Sequence, residues 1–341
     1  MTTLFSLARA TLFRMDAESA HGLTLTALEL ARRCGTLGLL SGAVPPRPVT
    51  VAGIRFPNPV GLAAGCDKNG VAIRAFARLG FGFIEVGTVT PKPQPGNPRP
   101  RMFRLPEHQA VINRLGFNNE GIDVLVRNVE RAAFKGVLGI NLGKNKDTPN
   151  AAAIDDYRFG LERVYPLASY VTINISSPNT VGLRELQQAD ALRRLLHELK
   201  DTQQRLAGRY RRVVPLFVKL APDLDEAGLN DSAQAVLDAG IEGAILGNTT
   251  LERGLVAGHA LAGESGGLSG APLKARADAV LQAFRARVGN RLALIGVGGI
   301  TNGADARDKQ LAGADLVQFY TGLVYRGPAL IGDCVRAWQA S

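Results

Sequence analysis

The chain has 341 residues, 46% of them hydrophobic, and a net charge of +10, which suits a globular protein with a large core. The positive charge favours anionic partners, but the basic residues are dispersed and form no nucleic-acid-binding motif, so we expect no nucleic-acid partner. The cysteines Cys34, Cys66 and Cys334 form no CxxC pair, which indicates a reducing compartment. Charged residues interrupt the apolar runs, so we expect neither a signal peptide nor a membrane span.

The first 40 residues are predicted to form two helices. The apolar positions approximate one face of each helix: Leu4, Phe5, Ala8, Leu12 and Phe13 in the first, and Leu23, Ala27, Leu30 and Ala31 in the second. The segment ends at Gly42 and the proline-rich run 45–48, which breaks helices. Two interpretations stay open at this point: helices packed on a neighbouring domain, or an element that lies in a membrane interface.

After residue 48, short apolar runs alternate with helical patterns. The eight runs cover residues 60–63, 83–86, 137–142, 171–175, 216–220, 244–246, 292–297 and 316–319. Near-continuous apolar strands that alternate with helices indicate a parallel sheet covered on both faces, and eight such units indicate a closed barrel. The sequence therefore predicts an α/β fold of the (β/α)₈ TIM-barrel type. We expect an extension over residues 1–45, a barrel over 46–341, and one further short strand at 49–54, outside the barrel.

The residues that follow these apolar runs are polar or glycine. They include Ala64 to Lys68, Thr88, Asn141, Asn174, Lys219, Asn248, Thr249, Gly298, Gly299, Tyr320 and Thr321. Barrel enzymes carry their chemistry at the carboxyl ends of the strands, so all these side chains are expected to meet at one rim. An asparagine at a strand end can also simply stabilise a turn, but that explanation does not account for the whole set.

The glycines near the last two strands favour a phosphate-bearing ligand. Gly298 and Gly299 lead into a helix predicted to start near Asn302, and Thr321 follows the eighth strand. Loops after strands 7 and 8 are the usual phosphate site of such barrels, because backbone N–H groups face the anion there. The run 266–270 could wrap the same phosphate, and the alternative is that these segments are flexible glycine turns.

The asparagines near the rim suggest a heterocyclic ligand. Amides both donate and accept hydrogen bonds, which suits alternating N–H and C=O groups. The set is Asn113, Asn118, Asn141, Asn174, Asn179 and Asn248, with positive charge from Lys68 and Lys219. The histidines His21, His108, His197 and His259 fit no metal spacing, and we expect no metal. Redox chemistry on a bound cofactor is therefore favoured over hydrolysis.

Several motifs together resemble one known family. Residues 113–119 (NRLGFNN) resemble the substrate loop of dihydroorotate dehydrogenases, and residues 174–180 (NISSPNT) resemble their catalytic loop. Residues 219–223, 266–270 and 298–300 agree in order and spacing, so the resemblance covers essentially the whole chain. It implies bound FMN and the oxidation of dihydroorotate to orotate in pyrimidine synthesis.

The resemblance also implies residue roles. Ser177 matches the base that removes the C5 proton of dihydroorotate, and a serine instead of cysteine there is typical of the quinone-using class. The positions that match the FMN cradle are Ala63, Ala64, Gly65, Cys66, Asp67, Lys68, Thr88, Asn141, Asn174, Lys219, Gly247, Gly270, Gly299, Tyr320 and Thr321. The positions that match the substrate site are Lys68, Asn113, Arg114, Leu115, Gly116, Phe117, Asn174, Asn179, Asn248 and Thr249. Gly247 departs from relatives that often have Thr or Ser, which removes a hydroxyl.

The resemblance also gives the first 40 residues a meaning. Quinone-reducing members carry a helical N-terminal extension beside the flavin, and His21, Arg104 and Tyr320 match positions of the quinone tunnel. It therefore implies a membrane quinone as partner and peripheral association with the cytoplasmic face of the cell membrane. A monomer is the working expectation. The alternatives are a soluble dihydroorotate dehydrogenase that uses fumarate or NAD, and a flavin-free barrel enzyme that acts on a sugar phosphate.

Overall fold

A computed structural model of the chain describes residues 3–40 and 42–339. The side chain of Leu4, which was expected on the first apolar face, lies outside the described part.

Short strands and helices alternate along these residues. The strands are β1 (Val49–Val51), β2 (Ile54–Phe56), β3 (Val60–Leu62), β4 (Phe83–Val89), β5 (Met102–Leu105), β6 (Ala110–Asn113), β7 (Val137–Leu142), β8 (Tyr170–Asn174), β9 (Leu216–Leu220), β10 (Gly243–Leu246), β11 (Gly267–Gly270), β12 (Ala293–Val297) and β13 (Leu316–Phe319). The α-helices are α1 (Thr3–Leu12), α2 (Ala17–Arg33), α3 (Ile73–Arg78), α4 (Ile122–Ala132), α5 (Ala153–Val164), α6 (Ala189–Tyr210), α7 (Glu226–Asp238), α8 (Lys274–Val288), α9 (Gly303–Leu311), α10 (Thr321–Arg326) and α11 (Ala329–Ala337).

Eight of the strands close into a parallel barrel. Their order around the barrel is β3-β4-β7-β8-β9-β10-β12-β13, and β13 pairs with β3 to complete the ring. These are the eight predicted strands, so the (β/α)₈ fold is confirmed. Helices cover the outside and side chains fill the inside, which explains why these strands are apolar along nearly their whole length.

The single strand predicted at 49–54 is wrong, because this segment is a hairpin. Strands β1 and β2 are antiparallel, and the turn between them consists of Ala52 and Gly53 with φ of 48° and 75°. Two consecutive residues with positive φ form the tight turn that matches the twist of a hairpin. Phe56 from β2 meets Phe83 at 5.1 Å between ring centroids, so the hairpin closes the amino end of the barrel.

A small antiparallel sheet, β5-β6-β11, which the sequence did not reveal, covers part of the opposite end. Gly267 of β11 pairs with Asn113 of β6, so residues 267–270 form a strand and the alternative of a flexible glycine turn is wrong for them. A Cβ atom on Gly267 would lie 1.7 Å from Oγ1 of Thr249. Glycine at this position therefore lets the small sheet lie directly on the barrel rim.

The second helix of the extension packs on the barrel with only part of its predicted apolar face. Asp16 caps α2 by accepting the N–H of Ser19 at 2.8 Å. The side chains of α2 that pack against the main core are Leu25, Leu28 and Ala31. Of the predicted apolar face, Ala31 packs against the core, whereas Leu23 and Leu30 are 50% and 61% exposed. This helix therefore leaves apolar side chains open to the surroundings.

The first helix docks through aromatic contacts. Phe13 meets Tyr325 edge-on at 5.4 Å, and a Cβ atom on Gly327 would lie 2.7 Å from the ring of Phe5. Leu7 of the same helix is 66% exposed. None of the helices in the described residues has the length and hydropathy of a membrane span.

Candidate active site

A cavity of about 770 Å³ joins the carboxyl end of the barrel to the space beneath the two N-terminal helices. Most of the predicted site residues line it. They are Ala63, Ala64, Gly65, Cys66, Lys68, Thr88, Asn113, Leu115, Gly116, Phe117, Asn174, Ser177, Asn179, Lys219, Asn248, Thr249, Gly270, Gly299, Tyr320 and Thr321, together with His21 and Arg104. The rest of the wall near the extension is mostly apolar and includes Leu12, Phe13, Ala20 and Leu28.

Four of the predicted residues lie outside this wall. Asp67 is fully buried and accepts the N–H groups of Val71 and Ala72 at 2.8 and 2.7 Å, so it shapes the loop beside Lys68. Gly247 has φ of 128°, and a Cβ atom there would lie 2.2 Å from the carbonyl oxygen of Val297. The backbone at Gly247 therefore leaves no room for a side chain, and the hydroxyl that relatives often have at this position is missing.

The other two predicted residues outside the wall are Arg114, which turns outward, and Asn141, which is buried. The guanidinium of Arg114 turns away from the cavity, pairs with Glu264 at 2.6 Å and lies 4.6 Å from the ring centroid of Phe103. Asn141 is fully buried just behind the cavity wall and belongs to the network described next.

A chain of hydrogen bonds orients the amides at the ends of β7 and β8. Asn141 donates to the buried carboxylate of Glu85 at 2.8 Å, which leaves its Oδ1 as an acceptor for Thr88 at 2.5 Å. Asn174 donates to Thr88 at 2.8 Å and to Asn141 at 3.1 Å. The second oxygen of Glu85 accepts the hydroxyl of Tyr170 at 2.8 Å. Because a carboxylate only accepts hydrogen bonds, Glu85 determines which way round both amides lie.

Three loops converge on Ser177. The hydroxyl of Ser177, in the loop after β8, accepts the N–H of Asn179 at 3.2 Å and is 6% exposed. Asn179 in turn donates to Oδ1 of Asn113 at 3.3 Å, and Asn248 donates to Ser176 Oγ at 2.9 Å. The loop ends after β6, β8 and β10 thus form one hydrogen-bonded unit around the serine.

Arg184 holds this loop from behind. It donates to the carbonyl oxygen of Ser176 at 2.9 Å and to that of Thr249 at 3.0 Å, and it pairs with Asp223 at 2.8 Å. Neither Arg184 nor Glu85 was found from the sequence. Glu85 carries a usable signal, because it is a lone carboxylate inside an apolar strand, whereas Arg184 looks like any surface arginine until its partners are known.

Two lysines bring positive charge to the cavity. Lys219 is 5% exposed at the end of β9, and burial lowers its pKa while the charge of Glu85 partly offsets that effect. Burial also lowers the pKa of Lys68. Across the described ranges, neither ammonium group has a hydrogen-bonding or ion-pair partner in the protein. Buried cations are costly without partners, so the cavity suits an anionic or electron-rich ligand.

The far end of the cavity has the features of a phosphate site. Gly299 lies there with φ of 78°, and a Cβ atom on it would be 2.3 Å from the Cα of Lys274. Thr321 begins α10, and its hydroxyl lies 2.9 Å from that of Ser269. The expected helix after Gly299 is confirmed as α9, whose N-cap is Asn302. Backbone N–H groups at a helix start have no partner within the helix and can bind an anion.

The predicted tunnel residues lie where the extension meets the barrel. The His21 ring is tilted against that of Tyr320 at 5.8 Å, and its Nδ1 lies 3.4 Å from the Tyr320 hydroxyl. Burial, and then the charge of Lys68, lowers the pKa of His21 to about 4. Arg104 donates to the carbonyl oxygen of Leu12 at 2.9 Å and lies 4.8 Å from the ring centroid of Phe13. His21 is therefore uncharged at neutral pH, and Arg104 ties down the end of α1.

The closed parallel barrel with a polar cavity at the carboxyl ends of its strands defines a barrel of the enzyme type. The family model for dihydroorotate dehydrogenase matches residues 48–338. The chain therefore belongs to the dihydroorotate dehydrogenase family, as its motifs suggested.

Relatives and solved structures agree with this assignment. Proteins named dihydroorotate dehydrogenase (quinone) from Xanthomonas campestris pv. campestris and Stenotrophomonas maltophilia are 59% and 58% identical to this chain, over 98% of it and 95% of their own length. A crystal structure of DHODH from Eimeria tenella in complex with ferulenol matches with a TM-score of 0.86 at 40% identity, covering 94% of this chain and 90% of that one. A ligand-free structure from the same organism matches with a TM-score of 0.85.

Proposed function

We propose that this chain is an FMN-dependent oxidoreductase that oxidises dihydroorotate to orotate and passes the electrons to a membrane quinone, in pyrimidine synthesis. The observation that carries this proposal is a single cavity with two unlike ends. One end holds Ser177, Lys219 and the oriented asparagines, and the other is walled by the apolar faces of α1 and α2. A water-soluble anion and an apolar quinone can thus reach one cofactor from different sides.

The residues of the cavity fit FMN. Gly299 and Thr321 would hold the phosphate, and Thr88, Asn174 and Lys219 would border the ring. The buried hydroxyl of Thr249 has no partner in the described part of the chain, as expected of a group that awaits a ligand. FMN supplies the hydride acceptor for oxidation of the substrate and the electrons for reduction of the quinone.

Ser177 acts on the substrate as the base: its oxygen takes the proton from C5, and its own hydroxyl proton passes on to water. Its hydroxyl accepts a backbone N–H, which holds the oxygen in one orientation toward the cavity. Asn113, Asn174, Asn179 and Asn248 bind the alternating N–H and C=O groups of the ring, and Lys68 neutralises the substrate carboxylate. Lys219 would place positive charge beside the cofactor ring, which gains negative charge when it accepts the hydride from C6.

Residues 1–45 form the quinone-access and membrane element, and residues 46–341 form the catalytic barrel. His21, Arg104 and Tyr320 border the quinone passage. The exposed apolar side chains of α1 and α2 enter the membrane interface, so that the protein associates peripherally with the cytoplasmic face of the cell membrane.

Anaerobic mixing with dihydroorotate, followed by a quinone, tests this function. The purified protein should be yellow, acid should release FMN rather than FAD, dihydroorotate should bleach the flavin, and a quinone should restore its colour. Restoration by fumarate or NAD, but not by quinone, would favour the soluble class. A colourless protein from flavin-replete cells would support a flavin-free barrel enzyme and contradict the proposal.

A further inference from the structure

One buried ion pair connects the N-terminal extension to the loop of residues 93–101. Arg101 is only 6% exposed, and Glu18 of α2 holds it with both carboxylate oxygens, at 2.6 Å from Nη2 and 2.9 Å from Nε. The remaining nitrogen, Nη1, donates to the carbonyl oxygens of Pro95 and Asn97 at 2.6 and 2.7 Å. Within the described residues, Glu18 is the only carboxylate that pairs with Arg101.

The same loop is bonded to the two loops that carry the proposed substrate ligands. The side chain of Asn97 donates to the carbonyl oxygen of Arg114 at 2.9 Å and to that of Asn179 at 3.2 Å. Its backbone N–H donates to the carbonyl oxygen of Leu115 at 3.1 Å. A Cβ atom on Gly116 would lie 2.7 Å from Nδ2 of Asn97, so the loops touch and cannot move independently.

We propose that Glu18 is a positioning residue for dihydroorotate: through Arg101 and Asn97, the extension sets the loops that present Asn113, Asn179 and Ser177 to the substrate. This inference rests on the proposed function. It gives the extension a role in the aqueous half-reaction, in addition to its role toward the quinone.

Glu18 is coupled to the loop of residues 93–101 because leaving the buried charge of Arg101 unpaired is costly. Without Glu18, the guanidinium of Arg101 would be buried with no counter-charge, and hydrating it requires residues 93–101 to move. Asn97 would move with them and withdraw its bonds from the carbonyl oxygens of Arg114 and Asn179. The exposed Arg99 also pairs with Glu18, at 3.0 Å, but as a cation it cannot serve as a counter-charge for Arg101.

The charge of Glu18 also supports substrate binding through its effect on Lys68. Burial is the main cause of the lowered pKa of Lys68; the charge of Glu18 raises that pKa, and Arg101 lowers it. The bond from Arg101 keeps the pKa of Glu18 itself low, so Glu18 remains charged at neutral pH. Removing the charge of Glu18 therefore also makes Lys68 less able to stay protonated beside a substrate carboxylate.

The test is the affinity for orotate of the oxidised, FMN-loaded Glu18→Gln variant, measured by flavin absorbance without quinone. We expect the dissociation constant to rise about tenfold at pH 7 with flavin content unchanged, and the rate of flavin reduction at saturating dihydroorotate to change less than its half-saturation concentration. Glu29→Gln is the matched control, since Glu29 lies on the same helix and, in the described part of the chain, pairs only with Arg32 and Arg33 near the surface. It should change orotate affinity less than about twofold.

A second variant keeps the inference falsifiable if Glu18→Gln loses flavin or fails to fold. Asn97→Ala interrupts the path further along while the Glu18–Arg101 pair is kept, and it should weaken orotate binding to a similar extent. In the double variant the loss should be smaller than the sum of the two single losses, because both substitutions interrupt the path through Asn97. Orotate affinity in Glu18→Gln or Asn97→Ala equal to that of Glu29→Gln, or fully additive losses, would overturn the inference. Failure of dihydroorotate to reduce the wild-type flavin would instead contradict the proposed function.

Discussion

The two walls of the cavity are built by different means. On the barrel rim, most of the asparagines are held by directional bonds to another loop or strand, as Asn174 is by Thr88 and Asn141. On the extension side, a few polar anchors dock the helices, and the wall between them is apolar. A substrate that must lose a proton and a hydride from defined atoms needs oriented donors and acceptors. A quinone needs only an apolar passage to the cofactor, and a looser wall is sufficient for that.

The largest expected effect lies on the polar side. In Ser177→Ala, flavin reduction by dihydroorotate should slow by about 10²–10⁴-fold, because a positioned base is lost. Flavin content should be retained, and reoxidation by quinone should proceed as in the wild type, since the other wall is untouched. Stopped-flow measurement of each half-reaction checks this. The deficit should shrink at high pH, where hydroxide can take the proton, whereas near-normal reduction at pH 7 would remove Ser177 from its proposed role.

The second effect lies on the apolar side. Leu7 and Leu30 are 66% and 61% exposed, and each would contribute up to about 1.5–3 kcal/mol if it were fully buried in a membrane interface. Leu7→Glu with Leu30→Glu should therefore reduce binding to anionic vesicles at least about tenfold, equivalent to about 1.4 kcal/mol. Orotate affinity should not change.

Val213→Glu with Leu311→Glu is the matched control for that experiment. These side chains are 64% and 70% exposed but lie on the barrel, so the added charge is the same and its location differs. Equal losses of vesicle binding in both double variants would show that charge alone, and not the exposed face of the extension, determines membrane association.

The same contrast explains how far the sequence could be interpreted. The barrel strands were found to within a few residues because strands buried on both faces are apolar along their whole length, a local property. The sheet β5-β6-β11 was missed because its strands are short, and β11 consists largely of glycine, which reads as a turn. Only the packing of that sheet on the rim determines its structure.

For the site, the sequence locates the residues at the strand ends but not the distant residues that hold them in place. Lys219 and Asn174 lie at the ends of apolar runs and Ser177 lies just beyond one, so their place at the rim follows from the fold. Glu85 and Arg101 act through partners 56 and 83 residues away in the chain, and no local pattern reveals those pairings. The sequence also left open whether the apolar face of α2 packs on the barrel or faces a membrane, because the helix carries apolar side chains on more than one side and only docking distinguishes them.

The smallest expected effect concerns His21, at the border between the two walls. Its pKa is lowered to about 4 by burial and by Lys68; the charge of Glu18 and a bond with the backbone of Cys66 oppose this, and the Tyr320 hydroxyl faces the ring. An unfolded histidine titrates near its ordinary value of 6.5, so between these values the unfolded chain binds the extra proton. Stability must therefore fall as the pH drops through this window, by about 1–2 kcal/mol at pH 5 for this one group. His21→Asn cannot take up that proton, so the free energy of unfolding of this variant in urea should decrease less between pH 7 and pH 5 than that of the wild type.

His197→Asn is the control, because His197 is exposed on α6. If His21→Asn and His197→Asn lose stability equally on acidification, His21 is not held neutral by the junction. In that case the border between the walls would be more hydrated than the bond geometry indicates.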